Sequence, residues 1–155
     1  MINFDDIAKD IIEKDKFQAL KYEPHHGLNR YEHIIRVAKG TYKVSKFLKM
    51  DYVSATRGAL LHDYFTGEDE RNIPRMQRGS THPAIALCNA RYEHYLNAIE
   101  ENIVVSHMFP LGKVKPNCKE SWVVTSVDKS VALYECAKFK FGKKLLKSFD
   151  LRKLY

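Results

Sequence analysis

An all-α, single-domain fold is predicted for this 155-residue chain from three observations. Apolar residues recur at helical spacing in successive segments. Gly, Pro and Asn gather mostly between those segments. The one run of strand-like composition, SWVVTSV from Ser121, continues through Val131, Tyr134 and Ala137 at the helical period, well past the length of a strand.

Taken in order, residues 4–20 place Phe4, Ile7, Ile11 and Ile12 on one helical face, with acidic residues in the first turns where they suit the helix dipole. Tyr22 to Arg30 contains Pro24, Gly27 and Asn29 and reads as a loop. A second helix is expected from about Tyr31 to Met50. A third runs from an Asp51 cap to Phe65, and Gly58 inside it costs about 1 kcal/mol relative to Ala, which points to close approach by a neighbouring helix. Residues 66–81 form a polar loop, and Pro83 is expected to open the next helix where no N–H donor is needed, leaving His82 at its N-terminus. Pro83 to about Asn97 and Ala98 to Phe109 read as two helices, separated by Pro110, Gly112 and Pro116 from a last one spanning Lys119 to about Phe139.

Composition is that of an ordinary globular domain, 45% hydrophobic and 29% charged, long enough to bury its core without disulfides. No apolar run approaches the roughly 20 residues that span a bilayer, and the N-terminus has no signal-peptide pattern. Cys88, Cys118 and Cys136 are widely spaced, with no CxxC, and read as free thiols in a reducing cytoplasm. The net charge of +7 belongs mainly to the end of the chain, where seven basic residues between Lys138 and Tyr155 face a single Asp150. The basic segment 139–155 can be drawn as an amphipathic helix touching nucleic acid or an anionic membrane. A helix docked on the core, with a solvated basic face, is the plainer reading, since no usual RNA-binding motif is present.

Chemistry concentrates in Ala59-Leu60-Leu61-His62-Asp63-Tyr64-Phe65, where two ionisable side chains sit inside an apolar run. A buried carboxylate without a partner costs several kcal/mol, so Asp63 must be paired, hydrogen-bonded or metal-bound. His33, His82, His107 and Asp128 each lie among apolar residues in other segments, giving four His and two Asp able to close a cage. Imidazole with carboxylate is a ligand set of divalent transition metals. Alone, each residue has a plainer reading as a satisfied structural His or a solvated Asp. His25, His26 and His94 have polar or aromatic neighbours without a matching partner, and stay with that reading.

The order His33, His62-Asp63, Asp128 in a helical chain resembles the HD-domain metal-dependent phosphohydrolase superfamily, and YEHIIRVA, GALLHDYF, THPAIALCNA, SHMFP and SVDKSVALYE resemble segments of small stand-alone bacterial HD proteins. The likeness covers roughly residues 26–138. It implies that His33, His62, Asp63 and Asp128 bind one divalent ion, and that Asp63 bridges to a second held by His82 and His107. The implied ions are Fe or Mn foremost, with Co, Ni, Zn or Mg as other occupants. It further implies hydrolysis of a phosphorylated small molecule, a nucleotide or other phosphate ester, with Asp63 catalytic. Arg36, one turn beyond His33, Arg78 and Lys129 are candidates for binding phosphate, each with the alternative reading of a solvated cation. The chain has no GYP motif and no synthetase half, so cyclic-di-GMP hydrolysis and stringent-response activity are not implied. The alternative function is a non-catalytic metal- or nucleotide-binding module. The ligand set favours the enzyme, because structural zinc sites are usually closed by four Cys or His.

Overall fold

The computed structural model describes residues 2–25 and 27–148, with side chains as far as Lys140. Residues 149–155, and the side chains of 141–148 that would give the basic segment its face, lie outside the described residues. Seven α-helices and a two-residue-per-strand hairpin make up the described chain, an all-α bundle as predicted. None of the described helices is long and apolar enough to cross a membrane.

Helix α1, Phe4–Ile12, is capped by Asn3, whose side chain accepts from the Asp6 N–H at 2.9 Å, and it buries Ile7, Ala8 and Ile11. The single helix expected over residues 4–20 is in fact broken. The chain turns at Lys14, re-forms as α2, Asp15–Ala19, and tightens into a 3-10 turn, Leu20–Tyr22. Packing explains the break: Phe17 and Leu20 are both fully buried, yet on a continuous helix Phe17 would point about 120° away from Ile11. Gln18 covers the break, its side-chain N–H donating to the Ile12 carbonyl at 2.6 Å.

The expected loop at 22–30 holds a minimal hairpin, β1 (Pro24–His25) pairing antiparallel with β2 (Leu28–Asn29). Gly27 has φ +87°, the left-handed conformation that a two-residue hairpin turn uses. Helix α3, Arg30–Phe47, follows directly, with the Asn29 side chain accepting from Glu32 N–H at 2.8 Å. Helix α4, Tyr52–Leu61, starts at the predicted cap, Asp51 accepting from Ser54 N–H at 3.0 Å. It lies at the centre, in contact with α1, with α3 and with the three helices that follow it. Helix α6, Ala98–Ser106, has a reciprocal capping box between Asn97 and Glu100, and α7, Lys119–Ser148, extends beyond the expected end.

Gly58 is where α4 meets α6. A Cβ there would come within 2.7 Å of Ile103 Cδ1 and 2.9 Å of its Cβ and Cγ2. Gly58→Ala is therefore predicted to destabilise the fold by a net of about 1–2 kcal/mol, overpacking outweighing the gain in helix propensity. A lower urea midpoint at unchanged slope is the expected reading, and a raised midpoint would refute it.

Helix α5, Arg75–Glu93, corrects the expectation at Pro83. The helix starts after Pro74, and Pro83 lies inside it, its ring buried. Pro83 supplies no N–H to the carbonyl of Gly79, a bond the helix forgoes while its apolar ring packs inward. Ser80 and Thr81 hydroxyls donate to the Gln77 carbonyl at 2.9 and 2.8 Å. His82 thus sits inside the helix, with about two helical turns before it.

Candidate metal centre

Six predicted ligands arrive from five elements. His33 lies in the first turns of α3, His62 and Asp63 follow the last residue of α4, His82 is in α5, His107 ends α6, and Asp128 is on α7. The structure brings all six together, and all but the half-buried His82 are buried. Two groups form. His33, His62 and Asp128 present ligand atoms within 4.8 Å of one another, as do Asp63, His82 and His107.

Asp63 joins the groups through its two oxygens. Oδ1 stands 3.4 Å from His82 Nε2 and 3.5 Å from His107 Nε2, while Oδ2 stands 4.0 Å from His62 Nε2. Asp128 Oδ1 lies 3.0 Å from His33 Nε2 and 3.7 Å from His62 Nε2. Ligand atoms about 2.1 Å from a shared ion are about 3.0–3.4 Å apart at octahedral or tetrahedral angles. The shorter of these separations match that spacing.

The histidine tautomers follow from the backbone. His62 Nδ1 lies 2.7 Å from the Ala59 carbonyl, His107 Nδ1 2.8 Å from that of Val104, and His82 Nδ1 3.0 Å from that of Arg78. A carbonyl only accepts, so each Nδ1 carries the proton and each ring, when neutral, turns an Nε2 lone pair into the site; burial holds His82 low, whereas at His107 burial is outweighed by Asp63, which raises the ring. His82 and His107 Nε2 then face each other at 3.1 Å, a contact that requires a cation or a proton between them. His62 Nε2 and Asp63 Oδ1 are buried with no hydrogen-bond partner. An unsatisfied acceptor in each group, His62 Nε2 in one and Asp63 Oδ1 in the other, is what a divalent cation would satisfy, so the residues present fit a metal.

Electrostatics agree. Burial pulls His62 down to about 4, keeping it neutral. Burial opposes ionisation of Asp63 and Asp128, but the surrounding imidazoles prevail, holding Asp63 well below the usual carboxylate range and Asp128 at about 2. Burial would lower His33 too, but Asp128, Asp63 and Glu135 outweigh it and raise the ring. Carboxylates that draw a proton onto Nε2 also draw a metal, and the two compete.

Two site residues escaped the sequence reading. Glu135, 2% exposed, accepts from His33 Nδ1–H at 2.8 Å and from Arg36 at 2.5 Å. It lies seven residues after Asp128 on α7, two helical turns on, and that spacing was the available signal. His25, read as structural, instead lies with its Nε2 4.0 Å from Asp63 Oδ2 and forms a third ligand group with His33 and Asp63. Nothing local in the sequence marks it, because a hairpin brings it there. His94 ends α5, packed against Tyr64 and outside the site, and His26 lies outside the described residues.

The predicted phosphate binders diverge. Lys129 lines the cavity above the ligands and donates to the His107 carbonyl at 2.9 Å. Arg36 is engaged by Glu135, and Arg78 Nε donates to the Ile73 carbonyl at 3.0 Å. The cavity, about 630 Å³, has Asp63, Asp128, His82 and His107 at its polar end and Met108, Leu111, Ala132 and Leu133 in its apolar wall.

No protein-family model, curated protein or solved structure matches this chain.

Proposed function

We propose that this protein is a metal-dependent phosphohydrolase with one or two divalent ions, Fe or Mn foremost, acting on a phosphate monoester. The observation that carries the reading is the convergence of Nε2 lone pairs, fixed by Nδ1–H bonds to backbone carbonyls, around an Asp63 whose two oxygens face different histidine groups. The resemblance of these segments to HD-domain phosphohydrolases points the same way. His33, His62, Asp63 and Asp128 would hold the first ion, and Asp63, His82 and His107 the second. Bound there, the ions would supply the Lewis acidity that activates water and neutralises phosphate oxygens.

The chain's own groups do the rest. Asp63 stays ionised and can only accept hydrogen bonds, so a water beside it directs a proton to the carboxylate and its lone pair outward. Lys129 uses one of its ammonium hydrogens on the His107 carbonyl and keeps others for a phosphate oxygen. Among the described residues it is the one Lys or Arg that lines the cavity, facing an apolar wall. That balance favours one phosphate carrying an apolar or planar substituent, a class that includes nucleoside monophosphates, over a triphosphate. A metal-binding module without catalysis would need neither the cavity nor a cation at its ligand end.

The test is metal analysis of protein purified without chelator, followed by hydrolysis assays with Mn²⁺, Fe²⁺, Co²⁺, Mg²⁺ and Zn²⁺ on aryl phosphates and nucleoside mono- and triphosphates. Metal-dependent turnover of monoesters is expected. Lys129→Ala should raise KM by about tenfold, the loss of one charge-assisted hydrogen bond, with a smaller change in kcat. Metal-loaded protein inert on every phosphate ester would leave the binding-module reading in its place.

A further inference from the structure

The hairpin before α3 has no part in the reading above, yet it is braced at both ends. At its base, the Arg30 N–H donates to the Glu23 carbonyl at 2.8 Å. At its tip, Gly27 rests on α7 so closely that a Cβ would fall 2.4 Å from Phe139 Cδ2. Phe139 is one helical turn beyond Glu135, the residue that anchors His33. Between these two supports the hairpin presents His25. Its ring centroid is 4.4 Å from that of His33, its Nε2 is 4.0 Å from Asp63 Oδ2, and its side chain is 18% exposed at the cavity lining.

His25 therefore stands on the Oδ2 side of Asp63, grouped with His33 and on the side that also faces His62, and not on the side of His82 and His107. We infer that His25 is a further metal ligand, contributed by the hairpin, through the group it forms with His33 and Asp63, to the first ion, held with them by His62 and Asp128. The inference rests on the metal reading of the preceding subsection. Its chemical consequence is a more nitrogen-rich first site, with three imidazoles and two carboxylates in reach. That composition suits Fe, Co, Ni or Zn better than Mg, whose preference is oxygen. Its structural consequence is that one ligand is carried by two-residue strands, while the rest are mounted on or at the ends of helices.

The experiment is titration of the full chain with Co²⁺, following both affinity and the visible d–d spectrum of the bound ion. In His25→Ala, one Co²⁺ equivalent is expected to bind at least about tenfold more weakly, with an altered d–d spectrum. Free imidazole, added to the variant, is expected to restore the wild-type spectrum. Gly27→Val keeps the imidazole but strains the turn against Phe139, and should weaken the same equivalent. His25→Ala that binds Co²⁺ with wild-type affinity and spectrum would overturn the assignment while leaving the metal reading intact. A spectral change that imidazole fails to rescue would also overturn it, making His25 a packing residue. Wild-type protein that takes up no Co²⁺ would remove the metal reading itself, and this inference with it.

Discussion

Asp63→Asn should lower turnover by about 10²- to 10³-fold, the loss seen when a major electrostatic contributor is removed, and should lower the metal retained per chain. The expectation follows from the two directions in which Asp63 faces, Oδ1 toward His82 and His107 and Oδ2 toward His62 and His25. An amide keeps the size but offers one acceptor and a pair of donors, so it can serve one histidine group and must turn N–H groups toward the other. Binuclear loading should suffer more than mononuclear loading. His107→Ala makes the control, removing a ligand from one group only. Kinetics and metal content of both variants decide the point: near wild-type hydrolysis by Asp63→Asn, in protein free of contaminating phosphatase, would show that the HD doublet is not the catalytic centre.

The second large effect is expected at Glu135. It is buried to 2% exposure and accepts from both His33 and Arg36. Glu135→Ala leaves the two partners facing one another without the carboxylate between them, which should cost about 3–5 kcal/mol of folding stability, as broken buried pairs do. It should also weaken the first metal site by about 10–100-fold, because His33 loses the bond that fixes its ring and tautomer. Arg36→Ala removes the more exposed partner and leaves the Glu135–His33 bond in place. Its effect on metal affinity should be smaller, and is expected to run through the Glu135 contact. Thermal unfolding with and without metal, beside a Co²⁺ titration, separates the two contributions. Metal affinity unchanged in Glu135→Ala would mean that His33 is positioned by its helix alone.

Much of this molecule is set locally and can be read from the chain. Asn3, Asn29, Asp51 and Asn97 cap helices because their side chains reach backbone N–H groups three residues on. The apolar residues of α7 at helical spacing, continuing through Val131, Tyr134 and Ala137, override the strand-like composition at its start, since they run on well past the length of a strand. That the six candidate ligands would gather was also legible, because a polar residue embedded in an apolar segment has to be satisfied somewhere, and His62-Asp63 announces that need twice.

Tertiary structure decided the rest. Whether α1 continued or broke depended on where Phe17 and Leu20 had to be buried, and periodicity within one segment carries no such information. Pro83 marked a helix start by local rules, but the helix gained enough by burying its ring to carry it inside. The same holds at the site. Arg36 shares a helical face with His33, which suggested a phosphate clamp, but Glu135 from α7 occupies that face and engages both. His25 was unremarkable until a two-residue turn at Gly27, seated on Phe139, set it beside Asp63. Helix caps and periods are fixed by neighbours a few residues away, whereas ligand partners, their orientation and the cavity wall are fixed by contacts across a hundred residues of chain.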